Sequence, residues 1–256
     1  MASPRVLVTR PEREAARWTA DLRAAGFDAV SLPLIEIATV ADPTPLHAAW
    51  QQRGRYQALM FVSAAAVAHF FAQADGDWPA DVRCWATGPG TVAALRRVGI
   101  AEPAIDAPPA DAPQFDSEAL WDRVRDQVVP GAEVLVVRGG DAQGRPAGRD
   151  WLGDRIEAAG GRCSRLVAYR RLPPAFDGAQ RRLAGDASKP PAVWLFSSAE
   201  AIGNLCRAMP DTAWREARAV ATHWRIAQAA QGVGFGTVRA AQPGLDAVVA
   251  SIESLR

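Results

Sequence analysis

The sequence predicts an α/β protein whose short parallel strands are covered by helices on both faces. Three observations carry that expectation. Short apolar runs, with no polar alternate face, recur along the chain. Helical stretches that often end in glycine separate them. Much of the second half also repeats the first at a nearly constant offset.

Arg5 to Thr9 (R-V-L-V-T) reads as a buried strand. Pro11-Glu12-Arg13-Glu14 opens a helix through Ala25, stopped by Gly26. Ala29 to Leu34 is the second strand. Asp42-Pro43-Thr44-Pro45 breaks the chain and starts a helix through Gln52. Ala58 to Val62 is a strand running into Ser63 and a helix through Phe71. Val82 to Ala86 is a strand, Thr87-Gly88-Pro89-Gly90-Thr91 a turn, and Val92 to Val98 a helix ended by Gly99. A short strand near Ala104 to Asp106 leads into a loop, Ala107 to Ser117, where Ser117 caps a helix over Glu118 to Val128. Val134 to Val137 is a strand ending at Arg138-Gly139-Gly140-Asp141. A polar loop, Ala142 to Gly148, precedes a helix through Ala159 and the stop Gly160-Gly161. Ser164 to Tyr169 is a strand, and Leu172-Pro173-Pro174 breaks the chain again. Val193 to Phe196 is a strand into Ser197-Ser198 and a helix through Met209. Ala217 to Ala221, a helix through Gln231, Thr237 to Ala240 and the helix Leu245 to Leu255 complete the chain. On this reading ten strands alternate with helices, which requires parallel sheets.

With a shift of 135 residues, Phe61-Val62-Ser63-Ala64-Ala65-Ala66-Val67 falls on Phe196-Ser197-Ser198-Ala199-Glu200-Ala201-Ile202. The same shift places Ala86-Thr87 on Ala221-Thr222 and Val98-Gly99 on Val233-Gly234. A shift of 134 places Ala24-Ala25-Gly26 on Ala158-Ala159-Gly160. Val6-Leu7-Val8-Thr9-Arg10 resembles Val134-Leu135-Val136-Val137-Arg138 at an offset of 128, which needs a small insertion. An internal repeat implies two similar α/β units of five strands each.

Composition narrows the function. The 256 residues are 49% hydrophobic and 22% charged, and the formal net charge is +1, which argues against a large nucleic-acid footprint. Cys84, Cys163 and Cys206 form no C-x-x-C pair and read as reduced core thiols. His47, His69 and His223 lie far apart and give no metal-ligand spacing. The start of the chain shows no apolar signal region, and no apolar run approaches the ~20 residues that cross a membrane. The expectation is a cytoplasmic protein, and no amphipathic surplus demands a partner, so the expectation is also a monomer.

In open parallel sheets ligands bind at the carboxyl ends of the strands. The residues expected there are Thr9-Arg10, Ser63, Thr87-Gly88, Arg138-Gly139, Ser197-Ser198 and Thr222-His223. Hydroxyls, helix N-termini and two arginines suit an anionic ligand. No acidic residue is expected to join them.

Other motifs point elsewhere only weakly. Gly88-Pro89-Gly90-Thr91-Val92-Ala93 matches the dinucleotide pattern G-x-G-x-x-A, but it lies outside the first βα unit and its repeat, Thr222-His223-Trp224-Arg225, lacks the glycines. Ser63 and Ser198 are not in G-x-S-x-G and have no placed base, so they read as helix caps or carboxylate donors rather than nucleophiles. His223 reads equally as an acid/base, a cation or a polar loop residue. Tyr169 is one of two tyrosines; burial with a satisfied hydroxyl and a role near the break after it are both open. His69 and the tryptophans read as packing.

A set of loose motifs in a specific order resembles the uroporphyrinogen-III synthase family over nearly the whole chain. They are V-L-V-T-R-P at Val6–Pro11, L-R-A-A-G-F, L-P-L-I-E-I at Leu32–Ile37, F-V-S-A-A-A-V, A-T-G-P-G-T, D-S-E-A-L at Asp116–Leu120, V-L-V-V-R-G-G, L-V-A-Y-R-R at Leu166–Arg171, L-F-S-S-A-E-A-I and V-A-T-H-W-R-I-A. The resemblance implies two flavodoxin-like lobes joined by a two-stranded linker. One lobe would be discontinuous, 1–37 with 172–256, the other 38–171, and the linkers about 35–40 and 168–173.

It implies a linear tetrapyrrole substrate with eight carboxylates, hydroxymethylbilane, held between the lobes. Closure with inversion of ring D and loss of water would give uroporphyrinogen III, without cofactor or metal. On that reading Arg10, Ser63, Thr87, Gly88, Thr91, Arg138, Gly139, Ser197, Ser198, Thr222, His223 and Arg225 bind the carboxylates. The family's tyrosine after the last linker strand matches Tyr169, which would assist departure of the hydroxide. Thr222-His223-Trp224-Arg225 departs from the G-P-T-T pattern of many relatives, so only its location carries over. Two other classes stand beside this one: a non-catalytic two-lobed binder of anions, and a nucleotide-using α/β enzyme.

Overall fold

A computed structural model of the chain describes residues 4–109, 111–112, 114–146 and 150–255. The expected loops Ala107 to Ser117 and Ala142 to Gly148 therefore lie partly outside the described residues.

In chain order the elements are β1 (Arg5–Val8), α1 (Glu12–Ala24), β2 (Asp28–Ser31), β3 (Glu36–Thr39), α2 (Thr44–Gln51), β4 (Ala58–Phe61), α3 (Ala64–Phe71), β5 (Arg83–Ala86), α4 (Pro89–Arg97) and β6 (Ile105–Asp106). They continue with α5 (Ser117–Val124), β7 (Glu133–Gly140), α6 (Trp151–Ala158), β8 (Arg162–Leu172), α7 (Gly178–Asp186), β9 (Val193–Phe196), α8 (Ala199–Ala208), β10 (Arg218–Ala221), α9 (Trp224–Gly232), β11 (Thr237–Ala240) and α10 (Leu245–Glu253). The expected glycine stops hold where the chain must turn with positive φ: Gly26, Gly99 and Gly160 have φ of 87°, 89° and 85°.

The structure corrects several local expectations. Helix α4 begins at Pro89, not Val92, because proline fits the first helical position and Gly88 serves as N-cap. Asp116, not Ser117, caps α5, its Oδ1 accepting from the Ala119 N–H at 3.0 Å. Strand β7 runs on through Arg138-Gly139-Gly140, and β8 is 11 residues long rather than six. Helix α7 was not expected. Its signal was a capping box, in which Asp177 accepts from the Gln180 N–H and the Gln180 side chain accepts from the Asp177 N–H.

The chain divides into two compact units, Met1–Glu36 with Leu172–Arg256, and Ile37–Arg171. The first holds a five-stranded sheet in the order β11-β10-β9-β1-β2, parallel throughout. The second holds a six-stranded sheet, β3-β8-β7-β4-β5-β6, one strand more than expected because β3 joins its edge. Its pairings from β8 to β6 are parallel.

Both sheets are buried on two faces, as helical crossovers require. In β4, Ala58 and Met60 pack with Leu120, Val124, Leu152 and Ile156, while Leu59 and Phe61 pack with Trp50, Phe70 and Leu95. In the five-stranded sheet, Val6, Val8, Val193 and Leu195 meet Trp18 and Leu22 of α1 and Val248 and Ile252 of α10. On its other face Trp194 and Phe196 stack at 5.8 Å and meet Trp214 and Phe235 edge-on. Phe196 is fully buried at the end of β9, so Phe196→Ala is expected to lower unfolding free energy by about 3–5 kcal/mol, read from a denaturant titration.

Candidate active site

Parallel pairing gathers the candidate residues into two groups, one at the strand ends of each unit. In the first unit β1 lies beside β9, and β9 beside β10, so Arg10, Ser197-Ser198 and Thr222-His223-Arg225 leave adjacent strands. In the second unit β4 lies between β7 and β5 and β8 borders β7. That brings together Ser63, Thr87-Gly88, Arg138-Gly139 and Tyr169.

The first group is built around helix starts. Ser198 caps α8, its Oγ accepting from the Glu200 N–H at 3.2 Å. His223 caps α9, its Nδ1 accepting from the Arg225 N–H at 3.1 Å. A helix cap was not among the readings open for His223 in the sequence. Thr222 is buried, and its N–H donates to Phe196 O at 3.0 Å. Trp224 is exposed, with the Arg225 guanidinium 5.1 Å from its ring centroid.

Arg10 is less free than expected. Its Nη1 donates to Glu14 Oε2 at 3.1 Å, and the guanidinium lies 4.6 Å from the Trp18 ring. Burial lowers its pKa while Glu14 opposes the shift. Its Nε is buried without a hydrogen-bond partner among the described residues. The expectation that no acidic residue reaches these ends is therefore corrected, since Glu14 in the first turn of α1 neutralises part of the charge.

In the second group Ser63 caps α3, accepting from the Ala66 N–H at 3.1 Å. The Ser63 and Tyr169 hydroxyls lie 3.0 Å apart and share a hydrogen bond. Tyr169 reaches Ser63 because of a bulge. Arg138 pairs with Val167, but Gly139 pairs with Tyr169, so Ala168 is the extra residue on β8. A period of two would turn Tyr169 away from the face holding Leu166 and Ala168; the bulge puts all three in one core cluster. Tyr169 is buried, 4% exposed.

Gly139 lies within β7 rather than in the loop expected after it. A Cβ there would stand 2.6 Å from Tyr169 Cζ and 2.9 Å from its hydroxyl oxygen. Gly139 is thus the floor of the tyrosine, not a loop residue. Arg138 lies within β7, is 7% exposed, and has its pKa lowered chiefly by burial. Thr91, expected on the turn, is buried in the first turn of α4. Thr87 and Gly88 remain at the rim, and α4 starts with no side-chain cap. The Thr91 and Val92 N–H groups donate to Gly88 O at 3.0 and 3.1 Å and Pro89 has no N–H, so of the first turn it is the Gly90 N–H that is left to other acceptors.

One neighbour was missed in the sequence. The His69 ring stacks on Tyr169 with centroids 5.6 Å apart and planes at 29°. Nothing in the spacing of the sequence marked this contact.

Burial pushes the Cys84 thiol up, and Cys163 up to about 11. Among the described residues no group of three His, Cys, Asp or Glu side chains converges, and no helix is long and apolar enough to cross a membrane. A cavity of about 240 Å³ lined by Arg5, Asp28, Lys189 and Ala192 lies at the opposite, amino end of the strands of the first unit.

The family model described as "Uroporphyrinogen-III synthase HemD" matches residues 16–250. The chain belongs to the uroporphyrinogen-III synthase family. A uroporphyrinogen-III synthase of Salmonella typhimurium is 30% identical over 181 residues, covering 70% of this chain and 69% of its own. That of Escherichia coli is 27% identical and covers 92% of this chain and 94% of its own. The crystal structure of uroporphyrinogen-III synthetase from Helicobacter pylori superposes over the whole of both chains with a TM-score of 0.61 at 16% identity. A Thermus thermophilus uroporphyrinogen III synthase mutant covers 99% of this chain and 98% of its own, with a TM-score of 0.59 at 18% identity. These two structures place the chain in their α/β fold.

Gly139→Ala is expected to push Tyr169 off Ser63 and to cost about 1–3 kcal/mol of stability, as overpacking does. A denaturant titration with a crystal structure of the variant checks both.

Proposed function

We propose that this chain is a cyclising hydro-lyase of haem biosynthesis, converting hydroxymethylbilane to uroporphyrinogen III with inversion of ring D. The observation that carries the reading is the family match across residues 16–250. It favours the enzyme over a non-catalytic binder of anions. The same match favours it over a nucleotide-using α/β enzyme.

We read the two polar strand ends as the carboxylate grips. Arg10, Ser197, Ser198, Thr222, His223 and Arg225 serve in one unit, and Ser63, Thr87, Gly88 and Arg138 in the other. Each charge-assisted hydrogen bond contributes roughly 1.5–3 kcal/mol. Thr91 and Gly139 act behind them, one inside α4 and one under Tyr169. The grips orient the chain so that ring D attacks through its substituted carbon, and orientation of this kind supplies on the order of 7–11 kcal/mol.

The carbon–oxygen bond of the ring A hydroxymethyl group breaks and a carbon–carbon bond forms to the substituted carbon of ring D. That carbon's bond to the ring C bridge then breaks and is remade at ring D's free carbon, whose proton leaves with the hydroxide as water, with no net change in oxidation state. The reaction asks for no electron carrier, and we read it as cofactor-free. The departing hydroxide needs a proton, and the Ser63–Tyr169 hydroxyl pair is the group assigned to it. A cytoplasmic monomer is the form in which we expect it to work.

The two units also read as an internal repeat in flavodoxin-like order, with β3 and the end of β8 as linkers. What supports this is a correspondence of sheets. Replacing β2, β1, β9, β10 and β11 by β8, β7, β4, β5 and β6 turns one strand order into the other. The sequence offsets matched three of these pairs, β1 with β7, β9 with β4 and β10 with β5.

Incubation with hydroxymethylbilane and separation of the products tests the activity. Isomer III above the protein-free control is expected; isomer I alone, at the control rate, contradicts it. Tyr169→Phe is expected to lower kcat on the order of a hundredfold while leaving the product as isomer III. Full turnover by this variant would leave positioning as the whole mechanism.

A further inference from the structure

We propose that His69 is a positioning residue for Tyr169, holding the phenol ring so that its hydroxyl stays on Ser63. The proposal rests on the assignment of the Ser63–Tyr169 pair to the reaction. It is carried by three contacts on one side chain. The ring of Tyr169 stacks on the His69 imidazole at 5.6 Å and 29°. Its hydroxyl meets Ser63 at 3.0 Å. Its Cζ and Cε2 lie where a Cβ on Gly139 would stand 2.6 and 2.7 Å away, so the backbone of β7 closes on the ring.

Ser63 and His69 belong to the same short helix, one as its cap and one in its last turn. Helix α3 therefore meets Tyr169 twice. The bulge at Ala168 aims the tyrosine, Gly139 leaves room for it, and His69 supplies the aromatic surface that keeps the ring from swinging about its Cα–Cβ bond. A phenol hydroxyl that must give a proton at one atom loses rate when its ring wanders by a fraction of an ångström. Aromatic stacking is the part of histidine this role uses, so a benzene ring at position 69 should replace it.

The chain has two tyrosines, Tyr56 and Tyr169, so 3-fluorotyrosine gives two ¹⁹F resonances, and Tyr56→Phe assigns that of Tyr169. His69→Ala is expected to move and broaden the Tyr169 resonance and to lower kcat on the order of tenfold, with KM within about twofold. His69→Phe should restore both. An unmoved Tyr169 resonance in His69→Ala overturns the proposal, and so does a His69→Phe variant that keeps the displaced resonance. The resonance is read without substrate. If Tyr169→Phe turns over at the full rate while His69→Ala still moves the resonance, the catalytic assignment of Tyr169 fails and the positioning contact stands.

Discussion

The structure of the first unit depends on the placing of β1 between β2 and β9. Val6, Leu7 and Val8 pair with Val193, Trp194 and Leu195, and Thr9 Oγ1 donates to Leu195 O at 2.7 Å across 186 positions of sequence. The entropy of closing so long a loop grows only with the logarithm of its length. The return is large, because all three β1 valine and leucine side chains are fully buried, with strands on both sides. The same pairing places Arg10 beside Ser197 and Ser198, since parallel neighbours end together. Burial of an apolar strand thus brings together polar residues from opposite ends of the chain.

The second unit answers a different constraint, that of a buried tyrosine which must find a hydroxyl partner. An unbroken ladder between β7 and β8 would put Tyr169 on the sheet face opposite Leu166 and Ala168. One extra residue on β8 turns it back, and a glycine across from it provides the space. The bulge, Gly139 and the Ser63 cap make sense only together. Each costs regularity or packing alone, and jointly they fix one hydroxyl against another.

Much of the fold was legible from apolar runs and their punctuation, because strands buried on both faces leave continuous apolar runs and helices end where glycine permits positive φ. Helix α7 was lost because Leu172-Pro173-Pro174 drew attention to a break, although Asp177 and Gln180 carried a capping signal. Periodicity could not reveal that β1 and β2 join β9 to β11 rather than their sequence neighbours; only the family resemblance carried that exchange. At the site, Ser63, Ser198 and Tyr169 were legible as residue types at strand ends. The packing of Tyr169 on Gly139 and the Glu14 partner of Arg10 were not legible, because both depend on what a neighbouring element places against them. His69 was invisible, since a ring stack across helix and strand leaves no local pattern.

The claim that the polar strand ends hold the carboxylates is tested most directly by locating the ligand. Backbone amide NMR shifts would be followed as uroporphyrinogen III is added under reducing conditions. The account predicts that the shifts concentrate on the first amides after Ser63, Pro89, Ser198 and His223. Shifts confined to the amino ends of the strands, around Arg5, Asp28 and Lys189, with the amides at the four helix starts unmoved, would contradict it.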